Sequence, residues 1–134
     1  ADLFHVVDDP SGTPINKKIS AENVFNNIPS FLGLAQASQA ITADASSQVA
    51  NVTSAVTEIN ATSATGAISL ADGAEGQIKT FINVSTSGTN NVVITPTNLR
   101  GGTTITLNAE GETVTCLFKN AKWNVIAGNG YVVA

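Results

Sequence analysis

Charge is what this sequence has least of: Asp, Glu, Lys and Arg supply only 12% of its 134 residues, about half the share usual in globular chains. Thr, Ser, Asn and Gly carry the surface polarity instead. Such a surface suits β-rich secreted or virion proteins, and also faces that pack against partner subunits, where an unpaired charge would be costly to desolvate. The net charge is −4, and the only adjacent basic pair is Lys17-Lys18. Nucleic acid is therefore not an expected partner, since its binding needs clustered Lys and Arg to displace phosphate counterions.

Cysteine is equally scarce. Cys116 is the single one, which excludes an intramolecular disulfide framework. Its place in the alternating run Val114, Cys116, Phe118 reads as a small core hydrophobe. With one His, His5, beside that one Cys, no His/Cys zinc site can be assembled within a chain. There is no apolar run of the length that spans a bilayer, so no membrane partner is expected. The start, Ala-Asp-Leu-Phe-His, lacks the basic and apolar regions of a signal peptide, and synthesis and folding in a cytosol are the expectation.

What the sequence does contain is concentrated around Leu70–Val84. A Gly-rich turn, Asp72-Gly73-Ala74-Glu75-Gly76, feeds a run in which Ile78, Thr80, Ile82 and Val84 point one way and Gln77, Lys79, Phe81 and Asn83 the other. The aliphatic set marks Ile78, Ile82 and Val84 as core and leaves Phe81 on the opposite face. The same design recurs, with strands expected at 52–59, 67–70, 77–84, 91–95, 103–107, 113–119, 123–126 and 131–133, separated by Gly, Asn and Asp turns. Ile105 and Leu107 should face Val114, Cys116 and Phe118 in one hairpin, and a second hairpin should join Phe118 to Trp123.

Before Val49 the character differs. Leu3–Val7 and Ile15–Ile19 read as extended pieces around Asp8-Asp9-Pro10-Ser11-Gly12-Thr13-Pro14, and any sheet they join should be an edge or an addition to another subunit. Ser20 is a good N-cap for a short helix over Ala21–Asn27, with Val24, Phe25 and Ile28 on one face and Pro29 ending it. A helix that short must dock on something. Residues 31–47, rich in Ala, Gln, Ser and Leu, read as a linker. The expected organisation is thus an N-terminal arm and linker, residues 1–47, and a β domain, residues 48–134. Its fold class is all-β: a small antiparallel sandwich or barrel-like body after an extended arm with one short helix.

No catalytic constellation is present. The Asp72–Gly76 turn lacks the ligand spacing of an EF-hand, and Asp8-Asp9 likewise reads as a turn rather than a metal site. Neither acidic pair sits with the aromatics and polar groups of a glycosidase cleft. The sites Asn51-Val-Thr, Asn60-Ala-Thr and Asn83-Val-Ser match the glycosylation pattern, as chance dictates in a chain of this composition. The expectation is a protein that is not an enzyme and carries no metal or cofactor.

Three stretches look familiar together: L-A-D-G-A-E-G-Q-I-K-T from Leu70, I-T-P-T-N-L-R-G-G-T-T-I-T-L from Ile94, and V-T-C-L-F-K-N-A-K-W-N-V-I from Val114. They resemble the small β domain of virion proteins of tailed bacteriophages, above all phages of cyanobacteria and marine bacteria, over Val49–Val133. The segment from Asp8 to Phe25 resembles parts of phage structural proteins that precede such a domain. The resemblance implies a capsid cement, or decoration, protein on the capsid exterior, made in the host cytoplasm, with the major capsid protein and further copies of itself as partners. A homotrimer is the expected assembly and a dimer the alternative. Phe4, Val6, Val24, Phe25, Phe31 and Leu32 are the expected capsid contacts, and Phe81 and Tyr131 the expected oligomer contacts. The alternative is a tail-fibre or receptor-binding module with Trp123 or Tyr131 stacking on host polysaccharide, although the shaft repeats of a complete fibre are absent.

Overall fold

The β-branched runs form strands and the Gly-, Asn- and Asp-rich breaks form turns, in an order that interleaves two sheets. A computed structural model describes residues 3–8, 12, 15–20 and 36–134. They belong to two units, Ala1–Ala35 and Gln36–Ala134. In the first, β1 (Leu3–Asp8) and β2 (Ile15–Ser20) pair antiparallel with each other, from Leu3 opposite Ser20 to Asp8 opposite Ile15. The expected helix over Ala21–Asn27 lies outside the described residues.

The second unit is all-β. One five-stranded sheet has the order β11-β10-β7-β5-β3, built from β3 (Ser38–Ala43), β5 (Val56–Ala61), β7 (Ile78–Asn83), β10 (Thr113–Lys119) and β11 (Lys122–Asn129). The other, also five-stranded, has the order β12-β9-β8-β6-β4, from β4 (Gln48–Ala50), β6 (Thr65–Leu70), β8 (Asn91–Pro96), β9 (Ile105–Leu107) and β12 (Val132–Val133). From β3 to β8 the chain alternates between the sheets, so β3–β4, β5–β6 and β7–β8 are three successive coils stacked in parallel register. The later strands close both sheets antiparallel. The sheets are therefore mixed, not antiparallel as expected.

Three expectations are corrected by this arrangement. Ser38–Ala43, expected as linker, is strand β3 beside β5, and the β unit starts at Gln36 instead of residue 48. Ile105 and Leu107 do lie across the core from Val114, Cys116 and Phe118, all of them buried. They meet as opposed sheets rather than as a hairpin, because β9 pairs with β8 and β12 while β10 pairs with β7 and β11. Finally, β7 is turned the other way round. Phe81, Lys79 and Asn83 are fully buried and Ile78 is 54% exposed, so Phe81 is core and not an oligomer contact.

The inversion of β7 has a physical cause. Phe81 is its largest apolar side chain and gains most from burial. The polar neighbours that must turn inward with it are satisfied there. Lys79 Nζ donates to Ser54 O at 2.8 Å and Thr57 Oγ1 at 2.7 Å, while Asn83 Oδ1 accepts the Ser85 N–H at 2.9 Å and its Nδ2 donates to Leu107 O at 3.3 Å. Among the described residues every buried side-chain polar atom has a partner, as a stable core requires.

At the end where β3 turns into β4 the two sheets approach closely, and only small residues fit. An added Cβ on Gly66 would stand 2.8 Å from Ala61 Cβ and 3.0 Å from Ala43 Cβ. The outer edge of β4 is closed by a side chain. Gln39 Nε2 donates to Val49 O at 3.2 Å and its Oε1 accepts the Asn51 N–H at 2.9 Å, so one carboxamide occupies two of the backbone groups that a further strand would use. The β10–β11 hairpin, expected from Phe118 and Trp123 and observed with those residues paired, turns through Asn120 at φ 54° and Ala121 at φ 56°. A two-residue turn of this hand favours Gly at its second position, and Ala there is strained. Ala121→Gly should raise stability by about 0.5–1 kcal/mol, read as a higher urea midpoint with unchanged m-value.

Candidate functional site

The charged side chains of the Gln36–Ala134 unit are distributed unevenly. Asp44, Glu110 and Glu112 lie in turns at one end of the strands, while Asp72, Glu75, Arg100, Lys119 and Lys122 lie in or beside turns at the other. Between the ends, the outward face of the β12-β9-β8-β6-β4 sheet carries no charge; Ala67, Val93, Thr106 and Val132 form one continuous row across it. The outward face of the β11-β10-β7-β5-β3 sheet carries Glu58 in mid-strand and, at the β10–β11 turn, Lys119 and Lys122. The exposed large hydrophobic residues fall on these faces or beside them: Ile78 and Ile126 on the larger sheet, Val49 and Val132 on the smaller.

The acidic turn of Asp72–Gly76 is a structural tie, as its composition suggests. Asp72 Oδ2 accepts a hydrogen bond from Asn98 Nδ2 at 2.7 Å. Glu75 Oε1 accepts the Ala121 N–H at 3.1 Å and its Oε2 pairs with Lys119 Nζ at 3.0 Å. The Ala121 N–H first, and Lys119 after it, hold the Glu75 carboxyl below the usual carboxylate range. The turn thus fastens the chain between β6 and β7 to the β10–β11 hairpin. Gly76, at φ 86°, reverses the backbone there.

Trp123 ties the sheets together at the same end. It is fully buried, its Nε1 donates to Ala71 O at 2.9 Å, and its ring meets Phe118 edge-on with centroids 5.2 Å apart. Its backbone exchanges bonds with the segment after β8: Trp123 N–H to Asn98 O and Arg100 N–H to Trp123 O, both 2.9 Å. Tyr131 is half-buried and packs against the core cluster. Trp123 presents no open stacking face of the kind the polysaccharide alternative requires, whereas Tyr131 is in part exposed.

Two titratable groups lie inside. Burial pushes the Cys116 thiol up to about 12, which keeps it protonated and unreactive. Burial also lowers Lys79 to about 8. Its ammonium stands 5.1 Å from the Phe81 ring centroid, with Ser54 O and Thr57 Oγ1 as its acceptors. No group of three metal-ligating side chains and no pocket is present among the described residues.

The expected capsid contacts all belong to the first unit, Ala1–Ala35. Phe4 and Val6 are in β1, at register positions opposite Ile19 and Lys17, and Val24, Phe25, Phe31 and Leu32 lie outside the described residues. Sequence reasoning missed the neutral outward faces as surfaces. A signal was available in Thr80, Ile82, Thr113, Thr115 and Leu117, which share a parity along β7 and β10 and carry no charge. Neither a protein-family model nor a curated protein matches the chain.

Proposed function

We propose that the chain is a non-enzymatic virion structural protein: a capsid cement protein that sits on the outside of an assembled bacteriophage shell and bridges neighbouring major capsid subunits. The observation that carries this reading is the segregation of charge to the two turn ends of the β unit, which leaves broad neutral sheet faces between them. Such faces lose little when they are desolvated against protein. The resemblance of Leu70–Thr80, Ile94–Leu107 and Val114–Ile126 to phage virion domains gives the class of partner.

In this reading the N-terminal residues grip the shell through Phe4, Val6, Val24, Phe25, Phe31 and Leu32, and the β unit self-associates. Stabilisation follows from mass action. A ligand that binds only the assembled state and is present at a hundred times its Kd adds about 2.7 kcal/mol per site. The host cytoplasm is the place of synthesis and the capsid exterior the place of action. With Trp123 inside the core, the polysaccharide-binding alternative rests on Tyr131 alone.

Deletion of residues 1–34 tests the reading. The remaining chain is expected to keep its β-type circular dichroism and to lose binding to expanded capsids by at least about a hundredfold, the loss of about 3 kcal/mol of contact. Co-sedimentation with shells measures it, and unchanged decoration would sink the arm model.

A further inference from the structure

We infer that the outward face of the β11-β10-β7-β5-β3 sheet packs on the same face of a second copy of this chain, about a two-fold axis that crosses the strands over Thr80 and Thr115. The inference rests on the self-association in the reading above and not on its capsid half. Three observations carry it: what the face is made of, how large it is, and where the charges lie around it.

The face is built in register rows. Thr80 stands beside Val56 and Thr115, Ile78 beside Leu117, and Ile82 beside Thr113. Ile78 is 54% exposed, and no element of the Gln36–Ala134 unit covers this row. The two hydroxyls at the centre are hydrogen-bonded to each other, Thr80 Oγ1 and Thr115 Oγ1 at 3.1 Å, so covering them leaves one hydroxyl proton to be matched across the interface instead of two. A sheet with parallel strands is ordinarily covered on both faces, and here β3, β5 and β7 are parallel.

Size separates the two sheets. At about 3.3 Å per residue and about 4.8 Å between strands, five strands of six to eight residues present about 500 Å². Two such faces bury about 1,000 Å² in total, where specific interfaces begin. The other sheet, with strands of two to six residues, presents about 300 Å², which falls in the range of adventitious contacts.

Charge sets the orientation. Glu110 and Glu112 precede β10 at one end, and at its far end stand Lys122 and Lys119, the latter already paired with Glu75. A two-fold axis across the strands lays β10 over β10 in opposite directions, and so brings the Glu110–Glu112 turn of each copy to the Lys119–Lys122 turn of the other. A two-fold or three-fold axis along the strands would bring like ends together. The chosen axis also sets Ile78 over Ile82 of the second copy and brings Glu58, which stands beside Ile82 within the covered face, opposite the start of that copy's β5. The interface is isologous, each contact made twice.

Sedimentation velocity on the full chain tests this. Wild type is expected to be a dimer, twice the 13.7 kDa chain mass. Ile78→Glu should give a folded monomer at a concentration where wild type is dimeric, while Val93→Glu, on the other sheet's outward face, should leave the dimer intact. Lys122→Glu should weaken the dimer about tenfold, and Glu110→Lys added to it should restore the affinity. If Ile78→Glu fails to fold by circular dichroism, the charge-swap pair and Leu117→Lys decide. A monomeric or trimeric wild type, a dimer indifferent to Ile78→Glu, or a dimer lost with Val93→Glu overturns the inference. Loss of capsid binding with the dimer retained would leave it standing.

Discussion

Trp123→Ala is expected to destabilise the β unit by about 4 kcal/mol. The indole is fully buried, so its removal opens a cavity on the order of a whole aromatic side chain. The surroundings cannot close over it readily, because Trp123 N–H, Trp123 O and Ala71 O are fixed by bonds to other segments. Ala71 O would lose its donor as well. For a unit of this size the fall in Tm should be on the order of 20 °C. Trp123→Phe, which keeps most of the packing and loses only the Nε1 donor, should cost about 1–2 kcal/mol. Thermal unfolding followed by circular dichroism distinguishes the two. An alanine variant within about 1 kcal/mol of wild type would mean that the indole does not join the sheets as described.

A rise in stability between pH 8 and pH 10.5 is the second large effect. Burial lowers Lys79 from 10.5 to about 8. Below pH 8 the folded and unfolded chains both carry the proton, and the native state bears the full cost of an ammonium in the core. Between the two values the folded chain has released the proton and the unfolded chain still holds it, so stability increases with pH. The whole depression is worth on the order of 3 kcal/mol. Lys79→Met should abolish this gain. At pH 7 its net effect should be small, since relief from the buried charge offsets the loss of a donor to Ser54 O and Thr57 Oγ1. Urea unfolding at pH 7.5 and pH 10.5 gives both numbers. An identical pH dependence in the two proteins would place the lysine nitrogen in contact with water.

Most strands of the β unit were legible because alternation and turn residues are local signals, although β4 (Gln48–Ala50) was not among those expected. Thr113–Lys119 appears as expected to the residue, and the Phe118–Trp123 hairpin follows from Asn120-Ala121 between two alternating runs. Sheet membership was not legible, because it depends on contacts far apart in sequence. The turn after Leu107 looks like a hairpin connection, yet it carries the chain across the core from one sheet to the other. Strand β3 escaped because Ser38-Gln39-Ala40 has little β propensity by itself; register with Val56, Thr57 and Glu58 makes it a strand. The facing of β7 was misjudged by counting aliphatic residues. Lys79 and Asn83 pass for surface residues until their partners in other strands are known. The neutral sheet faces were foreshadowed only by the low charge of the whole chain.

The alternation of β3 to β8 between sheets also determines how a body of this kind can change in length. Within the coiled part neither sheet can gain a strand alone, since each strand added to one sheet continues directly into a strand of the other. The unit of growth is one coil, which lengthens both sheets together by about 4.8 Å. The turns between strands are free to differ in length from coil to coil, as the short Asp44–Ser47 and the longer Val84–Asn90 connections do. Gln39 marks where that series stops on one side, with its carboxamide standing in place of the backbone that another coil would bring to β4.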